Sequence, residues 1–135
     1  MKIFAFAAAA LIASSTLAGA QSLVRTRQTA VIDSYTAFIG PDDLENSRGI
    51  RLTKPWQIIR QDRANVHERN LSDDGDEIDG FFSDANNRQA LETMLARGSM
   101  SNDARQMIVR GNCWVNVQIF GRGDTGDYVE VEVWR

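Results

Sequence analysis

The chain of 135 residues is 43% hydrophobic and 24% charged, with a formal net charge of −3. That balance belongs to one ordinary folded domain and excludes a disordered chain, a collagen and a protein of several membrane spans. A single cysteine, Cys113, excludes an internal disulfide and leaves a small apolar core residue or an intermolecular bridge as its uses.

Residues 1–20 read as a secretory signal peptide. Lys2 supplies the positive start, residues 3–12 an apolar run rich in Ala and Phe, and Ala18-Gly19-Ala20 the small residues that precede a cleavage point at Gln21. The run is too short to cross a bilayer core of about 30 Å as a helix. Ala20 stands where a lipoprotein signal carries its lipidated cysteine, so no stable membrane anchor is expected. The expected product is a periplasmic or secreted single domain, residues 21–135. It keeps one lysine, Lys54, and an acidic balance. Nucleic acid is not an expected partner, because phosphate binding needs a positive surface.

In the mature chain, residues 23–39 carry the β-branched and aromatic weight of a strand, although 30–38 also suit a helix. Gly40-Pro41-Asp42-Asp43 ends the segment, and a polar loop follows. Thr53-Lys54-Pro55 starts a helix over about 55–69. Its stripe holds Trp56, Ile59, Arg63, Val66 and His67, with Arg63 near the middle. An acidic loop spans 70–80. Ser83 or Asp84 can cap a second helix reaching Arg97, stopped by Gly98. Ser101 caps a short third helix stopped by Gly111.

Residues 113–120 and 128–134 both alternate, which predicts a β-hairpin joined by a Gly-rich loop, 121–127. Cys113, Val115, Val117, Ile119, Val129, Val131 and Val133 must share the core face. Trp114, Asn116, Gln118, Phe120, Tyr128, Glu130, Glu132 and Trp134 then fall on the other, because a one-residue slip would move every valine into water. The register symmetric about Asp124 sets Trp114 beside Trp134. The predicted fold is α+β: a small antiparallel sheet, the N-terminal strand plus the C-terminal hairpin, covered on its valine face by about three helices.

Three constellations can carry chemistry. The polar-aromatic sheet face, with Trp114, Asn116, Gln118, Tyr128, Glu130 and Trp134, suits a glycan or a peptide, since rings stack on flat apolar surfaces while amides and carboxylates bind hydroxyls or amides. Arg63 and His67 lie one helical turn apart. A guanidinium on an apolar stripe needs a carboxylate, which the acidic loop or Asp33 would supply. With Glu130 or Glu132 this pair would make an acid/base site. Asp73, Asp74, Asp76, Glu77 and Asp79 put five carboxylates in seven residues. Asp73, Asp74, Asp76 and Asp79 are candidate Ca²⁺ ligands, but the spacing fails the EF-hand pattern: Ile78 falls at a ligand position and Asp79 at the glycine position. With one histidine and one cysteine there is no zinc motif, and no nucleophile elbow, P-loop or dinucleotide fingerprint is present.

The leading expectation is therefore a non-enzymatic exported module that binds a protein or glycan partner and needs no cofactor. A small secreted hydrolase using a sheet carboxylate with His67 and Arg63 is one alternative. An accessory protein whose acidic loop binds a cation is the other. Mass spectrometry of the exported protein is expected to find a chain beginning at Gln21; intact Met1 in the membrane fraction would contradict it.

Overall fold

A computed structural model describes residues 28–135. The signal segment, and residues 23–27 of the expected first strand, lie outside the described residues. The elements follow in the order β1 (Ala30–Ile39), α1 (Pro55–Arg69), α2 (Ala85–Gln89), α3 (Leu91–Arg97), α4 (Asn102–Arg110), β2 (Cys113–Arg122) and β3 (Thr125–Trp134). The strands form one antiparallel sheet in the order β1-β2-β3. This is the expected α+β arrangement. Among the described residues no helix is long and apolar enough to cross a membrane.

Alternation decides the layers. Cys113, Val115, Val117, Ile119 and Val129 are fully buried, as are Tyr35, Ala37 and Ile39 of β1. Onto this inner face the helical layer packs Ile58, Ile59, Phe82, Leu91, Met94, Leu95 and Ile108. The Cys113 thiol sits inside the core, where burial pushes its pKa up. The β2–β3 register has the parity that alternation requires and is the one symmetric about Asp124: Trp114 pairs with Trp134, Asn116 with Glu132, Gln118 with Glu130 and Phe120 with Tyr128.

Two local expectations are corrected. The hairpin has no seven-residue loop. Its strands run on to Arg122 and resume at Thr125, after a turn in which Gly123 takes a φ of 59°. The other glycines serve close approach rather than looseness. A Cβ on Gly121 would come within 2.0 Å of the Thr125 carbonyl, and one on Gly126 within 2.5 Å of both Met94 and Phe81. The second predicted helix is broken at Ala90, giving four α-helices among the described residues. Arg88 explains the break: its buried side chain donates to the Phe82 and Ser83 carbonyls and reaches Glu68. That holds α2 against α1, while α3 turns to lay Leu91, Met94 and Leu95 on the core. The expected caps do form. The Asp84 side chain accepts from Asn86 N–H, and Ser101 accepts from Ala104 N–H.

Both sheet edges need cover, because an open edge presents a row of unpaired amides and carbonyls. Along β1 the acidic loop does this: Asp76 accepts from Phe38 N–H at 2.7 Å, and Glu77 N–H donates to the Thr36 carbonyl at 2.8 Å. Asp33 accepts from the N–H groups of Gly80 and Phe81. Along β3, Ser99 makes a parallel bridge, donating to the Val129 carbonyl and accepting from Val131 N–H. Gly98 permits that approach, since a Cβ there would lie 1.6 Å from the Val129 carbonyl oxygen.

Candidate functional site

The inner side of the molecule contains a buried ionic cluster. α1 turns Arg63 into the core with no exposed surface. Its Nε donates to Asp62 Oδ2 at 2.7 Å, and its Nη1 to Asp79 Oδ1 and the Glu77 carbonyl, each at 3.0 Å. The guanidinium carbon lies 3.8 Å above the Tyr35 ring, so the aromatic face adds a cation–π contact. His67 Nε2 meets Asp79 Oδ1 at 2.9 Å, and Asp79 Oδ2 accepts from Phe82 N–H at 2.6 Å. A second buried carboxylate, Asp43, accepts from Gly40 N–H and from the Asn65 side chain. Among the described residues, Tyr35 Oη and Arg63 Nη2 are buried with no hydrogen-bond partner.

One guanidinium serves two buried carboxylates, and they do not share it equally. Burial alone would raise Asp79. Its bonds from Phe82 N–H, His67 and Arg63 outweigh that and hold its pKa below the ordinary value. Asp62 has only Arg63, so burial wins and its pKa is pushed up to about 7. Burial likewise lifts Asp43 to about 6, against the pull of Gly40 N–H and Asn65 and with a push from Asp73 and Asp76. Burial by itself works against the Arg63 charge, yet Tyr35, Asp62 and Asp79 keep its pKa above the ordinary arginine range.

The acidic loop is divided in its uses. Asp79 turns inward to Arg63, and Asp76 spends its oxygens on Phe38 N–H and Asp73 N–H. Asp73 faces Gly40, and Asp74 stays exposed. Among the described residues, no three His, Cys, Asp or Glu side chains are grouped to hold a metal ion. The carboxylates that do approach one another, Asp42, Asp43, Asp73 and Asp76, line a cleft of about 50 Å³. Burial first, and then its acidic neighbours, raise the Asp73 pKa.

The outer face of the sheet is the other surface. The core-forming residues of the helical layer go to the inner side, so among the described residues the outer face is covered at its margins. At one end Trp114 packs edge-on to Phe38, with ring centroids 5.3 Å apart, and lies against Gly75 of the acidic loop. Its cross-strand neighbour Trp134 is 42% exposed. At the other end Phe120 and Tyr128 stack face to face at 4.8 Å. Between them lie Gln118, Glu130 and Glu132. Among the described residues neither glutamate makes an ion pair. Asn116 is used within the sheet, donating to Thr36 Oγ1 and the Tyr35 carbonyl.

The predicted Arg63–His67 pair is therefore brought together, on Asp79 rather than Asp33. The sheet stands between that pair and Glu130 and Glu132, so the four residues of the expected acid/base site do not meet. Tyr35, Asp43, Asp62, Asn65 and Arg88 belong to the buried network and were not read from the sequence. Asp62 and Asn65 lie off the apolar stripe that holds Arg63, so helical spacing gave no signal for them; Tyr35 was visible only as strand weight. Comparisons of the chain with protein-family models, with curated proteins and with solved structures find no match.

Two outcomes follow from the cluster. Arg63→Ala is expected to destabilise the fold by about 3–5 kcal/mol near pH 8, because two buried carboxylates lose their cation; urea unfolding measures it. In the wild-type protein, Asp62 and Asp43 have folded pKa values above the unfolded 3.8. The fold then binds more protons than the unfolded chain across the interval between, and linkage makes stability fall as pH rises through it. The urea midpoint is expected to rise on acidification from pH 8 to about 5. Asp79, with its lowered pKa, contributes stability that is lost only below the ordinary carboxylate range. A midpoint that falls steadily from pH 8 to 5 would contradict the assignment.

Proposed function

We propose that the protein is an exported, non-enzymatic module that binds a protein or glycan partner through the outer face of its sheet. The observation that carries this reading is the exposed indole of Trp134 beside Glu130 and Glu132, which make no ion pair among the described residues, on a sheet face that receives no helix. Exposed aromatic area next to unpaired polar groups is what a recognition surface offers: apolar area for affinity and directional groups for orientation. The buried Arg63–Asp79–His67 group has the opposite character, with its charges paired and withdrawn from solvent, and it serves as structure.

Not every residue of the face is equally available. Trp114 is half-covered by Phe38 and Gly75, and Asn116 is engaged by β1, so Trp134, Gln118, Glu130, Glu132 and Tyr128 form the contact set. Trp134→Ala is expected to cost under about 1 kcal/mol of stability and to abolish partner binding. Trp114→Ala is expected to cost about 1.5–3 kcal/mol, through lost packing. Thermal unfolding of both variants, with tryptophan-fluorescence titration against a panel of oligosaccharides and peptides, checks this. Unchanged binding by Trp134→Ala in a titration that the wild-type protein passes would remove the outer face from consideration.

A further inference from the structure

We propose that a second copy of this chain pairs with the uncovered half of the β3 edge, Val133 against Val133 of the second copy about a two-fold axis. The inference goes beyond the binding face, because it concerns the edge of the sheet and its main-chain groups. Ser99 shows how the edge is oriented: it bonds the Val129 carbonyl at 3.3 Å and Val131 N–H at 3.0 Å. Odd residues of β3 thus turn their polar groups away from β2. Ladder alternation places the Val131 carbonyl and both polar groups of Val133 on the same outer side. The chain does not follow them. At Ser101 it leaves the edge to begin α4. Among the described residues these three groups have no hydrogen-bond partner. A groove of about 720 Å³ runs beside them, walled by Gly98, Ser99, Ala104, Arg105 and Val133.

The contrast with the other edge is what commits the occupant to a strand. β1 is capped by the carboxylate of Asp76 and the N–H of Glu77, whereas residues 131–135 carry no lysine, proline or cap to block addition. A second copy fits because the edge is complementary to itself. A two-fold axis at residue 131 is excluded, since its N–H is taken by Ser99. At Val133 both groups have no partner among the described residues, so the two copies exchange two N–H···O bonds. The same register sets Glu132 beside Trp134 of the second copy, so no like charges face each other. The outer faces of the two sheets stay on one side, and the sheets join into one of six strands.

Sedimentation equilibrium of the full chain over about 1–500 μM tests this. A concentration-dependent dimer is expected. Val133→Pro removes an outward N–H, which an edge strand tolerates, together with the partly buried Val133 side chain that packs against the core; it is expected to weaken the dimer about tenfold or more through the two lost bonds. Should that variant fail to fold, the E132C/W134C double variant decides: oxidation is expected to cross-link two chains, because these positions face each other across the axis, while neither single variant does so. A chain that stays monomeric overturns the proposal, and slow amide exchange at Val133 in that monomer would assign the edge to another segment of the same chain. A dimer that survives Val133→Pro and gives no cross-link overturns it as well, by placing the interface elsewhere.

Discussion

The structure depends on the burial of one guanidinium. Arg63 has no exposed surface, and a buried cation without partners would cost several kcal/mol or more. Meeting that requirement organises everything near it. Asp79 must leave solvent, which draws in the acidic loop. Its second oxygen then caps Phe82 N–H, and Phe82 is thereby held in the core against Tyr35, ring centroids 6.1 Å apart. The Glu77 carbonyl meets Arg63 while the Glu77 N–H meets β1, so one residue links the cation to the sheet edge. α1, the loop and β1 are fastened at a single point.

That arrangement divides the acidic residues by role. Those on the inner side are few, paired and displaced from ordinary titration behaviour in both directions: Asp79 downward, Asp62 and Asp43 upward. Those on the outer sheet face make no ion pair among the described residues. A carboxylate that already accepts from a guanidinium, an imidazole and a backbone amide has little capacity left for a ligand. The inner network also secures the loop that props Trp114 at one end of the outer sheet face.

A three-stranded sheet has two edges and a short central ladder, so the way each edge is covered matters more here than in a wide sheet. The β1 edge is covered by side-chain and main-chain groups from one loop. Among the described residues the β3 edge is covered by Ser99, which Gly98 brings within contact. Both covers come from loops whose path the helices determine, which makes sheet and helical layer mutually dependent.

Much of this was already present in the order of the residues. Strict alternation in 113–120 and 128–134 determined which side chains enter the core and the parity of β2 with β3, because side-chain direction in a strand has a period of two; among registers of that parity the turn made the choice. Pro55, Asp84, Ser101, Gly98 and Gly111 marked helix limits, because caps and stops act on the backbone within one turn. The place of Arg63 in an apolar stripe announced a buried charge seeking a carboxylate. Tertiary structure alone decided which carboxylate that would be. Asp33 and the acidic loop were equivalent by composition, and only the path of the chain brought Asp79 to Arg63 while sending Asp33 to the amides of Gly80 and Phe81. It also decided that Glu130 and Glu132 lie across the sheet from His67, since parity names a face but not what stands behind it. Gly121 and Gly126 looked like loop residues and proved to be points of close packing, because a glycine's reason is set by the atoms that approach it, and those come from distant parts of the chain.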